Sequence, residues 1–391
     1  MRVAVVAGPD PGHAFPAIAL CLRFLAAGDT PVLLTGRQWL DTARDAGVDA
    51  RELLGLDPEG GDDDADSGAK IHERAARMAV LNAPVLRQLG PDLVVSDVIT
   101  ACGGMAAEMM GLPWVELTPH PLYLPSKGLP PLGSGLAPGV GVRGRLRDAM
   151  LRFFTARSIR EGHRQRSAAR IGIGLPATDP GPARRLIATL PELEVPRPDW
   201  PAEAVVVGPL HFEPTAAVLD VPPGAGPVVV VAPSTATTGM QGLDDLALET
   251  LIPGQTLPDG ARVVVSRLRG ADGPVPPWAA VGLGRQDELL KQADVMVCGS
   301  GHGIVSKTLL AGVPLVVVPG GGDQWEIANR VVRQGSGELI RPATADALVS
   351  AVERVLSTPS YREAARRAGD SGADVADPVV VCRAALGGGA E

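Results

Sequence analysis

The sequence predicts an α/β protein built from two doubly wound domains, each around a mostly parallel sheet. Three observations carry this prediction. The chain has 391 residues, more than a single hydrophobic core usually serves. Short β-branched runs alternate with helix-length stretches, the pattern of repeated βαβ units. The alternation also halts in a proline- and glycine-rich passage and then begins again.

The elements follow in order. Residues 3–7 read as a strand, 14–27 as a helix, 31–35 as a strand and 39–46 as a helix. An acidic, glycine-containing segment, 59–68, reads as a loop. After it come a helix over 69–89, a strand over 92–96, a helix over 103–110 and a strand over 113–117. The stretch 119–141 is too rich in proline and glycine for a regular element and too long for a plain connector, so it reads as a binding loop. A short strand over 205–207 precedes the break. The expected division is therefore a first domain over 1–210, a linker over 211–227 and a second domain over 228–391, with the C-terminal helix able to pack back on the first domain. In the second half, strands are expected at 228–232, 262–266, 294–298 and 315–318, and helices at 287–292, 304–310, 324–333 and 344–356.

Composition narrows the function. A net charge of −8 and an aromatic content of 3% argue against nucleic-acid partners. The longest apolar runs, such as residues 228–232, are far too short to span a bilayer. The first residues read as a strand entering a glycine loop rather than as an export signal, so a cytoplasmic protein is expected. Cys21, Cys102, Cys298 and Cys382 are widely separated, without metal-ligand spacing. One segment departs from the overall acidity: nine arginines between Arg143 and Arg170 face only Asp148 and Glu161. It reads as the solvated face of an amphipathic helix, or as a peripheral contact for an anionic membrane or acceptor.

Two constellations carry chemistry. In the first, a strand ends at Cys298-Gly-Ser-Gly-His-Gly303 and opens a helix. Unpaired N–H groups at such a helix start, with the positive end of its dipole, suit phosphate oxygens; the same glycines also suit a plain tight turn. Downstream, Asp323 and Gln324 start another helix, where Asp323 also suits an N-cap. The dinucleotide-binding and P-loop glycine patterns are absent. The second constellation is Gly8-Pro-Asp-Pro-Gly12-His13 after the first strand, with Asp97 after a later one. Both lie at the carboxyl edge of a doubly wound sheet, where ligands bind. A helix-start histidine is held neutral by the dipole, and a carboxylate can orient it as a general base. His120 falls in the long loop; His72, His163 and His211 read as structural or surface residues.

These residues resemble family 1 glycosyltransferases of GT-B type, particularly the bacterial natural-product subgroup. The resemblance runs through Gly12-His13-x-x-Pro16, Pro91-Asp-Leu-Val-Val-Ser-Asp97, Val207-Gly-Pro-Leu210, Arg285-Gln286, the glycine loop, Gly312-Val-Pro314 and Asp323-Gln324. It implies two Rossmann-like domains facing across a cleft and inverting, metal-independent transfer of a sugar from a nucleoside diphosphate. The acceptor would be a hydroxyl on a largely apolar small molecule. His13 would be the base and Asp97 its support. Ser234, Arg285, Gln286, Gly299, Ser300, Gly301, His302, Gly303, Lys307, Asp323 and Gln324 would bind the donor, a dTDP- or UDP-sugar. Pro11, Gly12, His120 and Phe154 would face the acceptor. No cofactor or metal is implied.

The donor loop departs from the family pattern: Gly299 stands at the family histidine, Ser300 at the next glycine, Ile304 at the threonine and Lys307 at the glutamate. His302 is a candidate replacement for the missing phosphate contact, and Lys307 either contacts the nucleotide or is solvated. The alternatives are a lipid-linked-sugar transferase of envelope synthesis, a catalytically silent helper with the same fold, and a sugar epimerase.

Overall fold

A computed structural model describes residues 1–57, 67–236, 239–268 and 274–387. Seven parallel strands form the first sheet: β1 (Arg2–Val6), β2 (Thr30–Thr35), β3 (Asp49–Glu52), β4 (Leu93–Asp97), β5 (Trp114–Thr118), β6 (Arg184–Ile187) and β7 (Ala204–Val206). Their order is β3-β2-β1-β4-β5-β6-β7. The helices of this half are α1 (Pro11–Ala26), α2 (Leu40–Asp45), α3 (Ser67–Leu89), α4 (Cys102–Met109) and α5 (Gly141–Gly172).

Six parallel strands form the second sheet: β8 (Val228–Ala232), β9 (Arg262–Ser266), β10 (Ala279–Gly282), β11 (Val295–Cys298), β12 (Leu315–Val317) and β13 (Gly337–Leu339), ordered β10-β9-β8-β11-β12-β13. The later helices are α6 (Leu243–Thr250), α7 (Gln286–Leu290), α8 (His302–Leu310), α9 (Gln324–Gln334), α10 (Ala345–Ser357), α11 (Pro359–Asp370) and α12 (Pro378–Ala384).

Both sheets are sandwiched between helices, and this accounts for their near-continuous apolar strands. Val3 and Val5 of β1 pack with α1 on one face, while Ala4 and Val6 pack with α3 and α4 on the other. In β8, Val228 and Val230 face α8 and α9, whereas Val229 and Val231 face α6 and α10. The chain end completes the first domain: Val379, Val381 and Cys382 of α12 join the core under α1. Arg383 there holds Asp29 at 2.9 Å.

In each sheet the order reverses between two central strands, β1 and β4 in the first and β8 and β11 in the second. A crevice opens at the carboxyl ends of such strands. The residues that follow β1, β4, β8 and β11 are those the sequence marks for chemistry.

Four strands escape the sequence reading: β3, β6, β10 and β13. Asp49-Ala-Arg-Glu52 and Arg184-Arg-Leu-Ile187 carry charges, and β13 has only three residues, so none shows the long β-branched run of the central strands. Their neighbours' ladders define them. Of the acidic segment 59–68, residues 59–66 lie outside the described residues, and α3 starts at Ser67. The basic segment is one 32-residue helix, α5. No helix among the described residues is long and apolar enough to cross a membrane.

Candidate active site

His13 sits in the first turn of α1, after Pro11 and Gly12. Pro11 supplies a preset helical φ where no N–H is needed. Pro16, inside the helix, has no N–H to offer the carbonyl four residues back, that of Gly12. The preceding turn is pinned from outside, with Trp39 Nε1 donating to the Pro9 carbonyl at 2.6 Å. Asp97, the last residue of β4, is buried, and its Oδ1 lies 2.7 Å from His13 Nδ1. Its Oδ2 accepts from the Ile99 N–H and the Thr100 hydroxyl, both at 3.2 Å. Both carboxylate oxygens are thus hydrogen-bonded and the group is fixed in place. This bond keeps a proton on Nδ1 and leaves the Nε2 lone pair of neutral His13 available.

Burial lowers the His13 pKa, but the charge of Asp97 and its hydrogen bond, helped by Asp10 and Asp323, raise it by more. The net direction is upward, which corrects the expectation that the helix dipole sets the protonation state. Asp323 is exposed at the start of α9 in the second domain, and its charge reaches both His13 and His120 in the first. The two halves of the site face each other.

His120 lies beside His13 with ring centroids 6.5 Å apart, edge to face. Its Nδ1 donates to the Pro121 carbonyl at 2.7 Å, and burial, the largest influence, lowers its pKa. It stacks on Tyr123 at 4.4 Å, and Arg330 of α9 lies over the Tyr123 ring, 5.6 Å from its centroid. Arg330 also donates to the Leu193 carbonyl at 2.6 Å. A cation from the second domain therefore props up the wall of the first. The long loop is clasped as well: the Gly135 N–H donates to Glu326 at 3.2 Å and Arg333 donates to the Gly135 carbonyl at 2.9 Å. Gly135 has φ of +68°, and a Cβ there would meet Trp325 Nε1 at 2.4 Å, so only glycine fits this approach.

Among the residues expected to bind the donor, Ser234, Gly299 and Gln324 gather beyond the carboxyl ends of β8, β11 and β12. Ser234 Oγ accepts from Gln324 Nε2 at 2.7 Å, and Gln324 Oε1 accepts from the Gly320 N–H at 3.0 Å. Gly299 packs against Ser234 so closely that a Cβ would lie 2.8 Å from the serine Cβ. Ser300 adopts φ of +64°, the left-handed region in which the family glycine costs nothing and a serine is strained. Its hydroxyl is buried and has no partner. Gly301 precedes α8, and His302 and Gly303 form its first turn.

Several residues are placed differently from expectation. His302 is buried, and its Nε2 meets the Thr189 hydroxyl at 2.8 Å across the domains. Burial drives its pKa well down. In this arrangement it is a neutral domain-to-domain contact rather than an open phosphate donor, because the first turn of α8 directs it toward the end of β6. Lys307 is neither solvated nor free: its Nζ pairs with Glu213 at 2.5 Å and contacts Gln286 Oε1 at 3.1 Å. Glu213 also accepts the Gln286 and Asp287 N–H groups at the start of α7. Arg285 is held by Asp287. Asp323 precedes α9 without a side-chain cap bond. Phe154 is exposed on α5, edge-on to Phe153, and no contact brings it to His13. His211 is buried, 3.0 Å from Ser306 Oγ, with its pKa pushed down to about 3 by burial and Lys307.

Sequence reasoning missed Tyr123, Thr189, Glu213 and Arg330. Only Arg330 left a trace, as a charged position within the apolar periodicity Ile327, Ala328, Val331 of α9. Among the described residues no cluster of three or more His, Cys, Asp or Glu is arranged to hold a metal ion.

Residues 279–385 match the family described as "Erythromycin biosynthesis protein CIII-like, C-terminal domain". The chain is 28% identical to 4'-demethylrebeccamycin synthase of Lentzea aerocolonigenes, over 94% of this chain and 95% of that one. It is 27% identical to L-demethylnoviosyl transferase of Streptomyces niveus, over 97% and 96%. The solved glycosyltransferase of kitacinnamycin superposes with a TM-score of 0.74 at 22% identity, covering 98% of this chain and 97% of that one. The chain has the fold of the GT-B glycosyltransferases, with an EryCIII-like C-terminal domain over residues 279–385. The matched segment contains the glycine loop, Lys307, Asp323 and Gln324, so the departures at Gly299 and Lys307 fall within it.

Proposed function

We propose that this glycosyltransferase moves a sugar from a dTDP- or UDP-sugar to a hydroxyl of a largely apolar small molecule, inverting the anomeric centre and using no metal. The observation that carries this reading is the His13–Asp97 pair at 2.7 Å, set opposite Asp323 of the other domain. The acceptor O–H gives its proton to His13 Nε2 as its oxygen bonds to the anomeric carbon. The bond from that carbon to the diphosphate oxygen breaks, and its electron pair leaves with the nucleoside diphosphate. N–H groups at the start of α8 and the unpartnered Ser300 hydroxyl are placed to meet the growing charge. Asp323 and Gln324 are the sugar-side groups, and His120 with Pro11 and Gly12 forms the acceptor wall. The natural-product activities named for the relatives support a small-molecule acceptor.

Gly299→Ala tests the donor assignment. Its new Cβ must displace Ser234, and with it the Gln324 contact. The expected result is a rise of about tenfold in donor KM, equivalent to about 1.4 kcal/mol, with acceptor KM unchanged. Unchanged donor KM, measured as nucleoside diphosphate release, would remove the glycine loop from the donor site. Nucleotide binding without turnover over a broad acceptor panel would favour the silent helper.

A further inference from the structure

The 32 residues of α5 run about 48 Å. Asp148, Ala169 and Arg170 are its buried positions, and Arg152 turns inward to the Leu129 carbonyl at 2.7 Å. The opposite face is bare. Val142, Leu146, Met150 and Phe153, spaced four, four and three residues apart, fall on one stripe and are 77%, 61%, 55% and 78% exposed. Four large apolar side chains in a row exceed the scatter normal on a monomer surface. One turn further, the same stripe continues into Arg157 and Arg160, both exposed.

Charge selects the occupant. The only exposed carboxylate on α5 is Glu161, and Arg164 already holds it at 2.5 Å. A second copy of this helix brings more positive charge and no free carboxylate. A surface that offers anionic phosphates above an apolar layer matches both halves of the stripe.

We propose that the outer face of α5 docks the protein peripherally on anionic lipid bilayers, with the 142–153 stripe at the acyl boundary and Arg157 and Arg160 on headgroup phosphates. The docking stands independently of the glycosyl-transfer reading, since its test has no catalytic readout.

The test is cosedimentation of the full chain with vesicles of phosphatidylcholine alone or mixed with phosphatidylglycerol. Binding is expected to the anionic vesicles only and to weaken with salt. Arg157→Gln/Arg160→Gln should weaken it about tenfold or more, and Phe153→Ser should weaken it comparably, with unchanged thermal melting confirming the fold. Because the arginine substitutions lie on the exposed surface, they keep the test decisive even where Phe153→Ser impairs folding. No binding to anionic vesicles at low salt, equal binding to both compositions, or wild-type binding by the arginine variant overturns the proposal. So does a concentration-dependent dimer, seen by light scattering, that Phe153→Ser abolishes: the face would then be a self-association surface.

Discussion

Replacing His13 with alanine is expected to lower kcat by about 10³-fold, within the 10²–10⁴ that a positioned general base supplies, while leaving nucleotide affinity within about twofold. The separation follows from placement. His13 stands on α1 in the first domain, bonded to Asp97, whereas the glycine loop lies at the end of β11 in the second. The substitution removes the only ring nitrogen at the site whose lone pair an orienting carboxylate leaves available. His120 is the weaker base: burial lowers its pKa, and its Nδ1 donates to the neutral Pro121 carbonyl rather than to a carboxylate. Steady-state release of nucleoside diphosphate, with calorimetric titration of the nucleotide, checks both halves of the expectation.

The second large effect belongs to Asp97→Asn. In the unsubstituted protein, the raised His13 pKa places the acidic limb of kcat/KM above the ordinary imidazole value of about 6.5. Activity is lost as the pH falls through that limb, because His13 becomes protonated and cannot accept. Asparagine removes the charge and alters the hydrogen bond that raise the pKa, while burial still lowers it. The limb must therefore move to lower pH. At the same time, the amide no longer fixes the ring with its proton on Nδ1, so the plateau should fall by about 10²-fold or more. A pH profile of kcat/KM with a saturating co-substrate separates the two effects. An unmoved limb would mean that Asp97 holds the loop and not the base.

The central strands were legible because a sheet covered on both faces requires uninterrupted β-branched residues, as in Val228-Val-Val-Val-Ala232. The sites at their ends were legible for the same reason, since strand order and chain direction bring Gly12-His13 to Asp97 and Ser234 to Gly299. What the sequence withheld depends on neighbours distant in the chain. Thr189 meets His302 113 residues away, and Glu213 claims Lys307 94 residues away. No local pattern foretells either. The sign of the His13 shift was missed similarly: the helix start is visible in the sequence, but the depth at which Asp97 is buried and bonded is not. The residues that α12 covers beneath α1, where Cys382 is fully buried, are likewise set by contacts distant in the chain.

In the proposed reaction His13 drives a single in-line displacement at the anomeric carbon. The most direct measurement is the anomeric configuration of the glycoside formed from an α-linked nucleoside-diphosphate sugar, read from the anomeric proton coupling in the NMR spectrum, together with the yield from His13→Ala. A β-linked product is expected, with its near-complete loss in the variant. An α-linked product, or an undiminished yield without the imidazole, would contradict it.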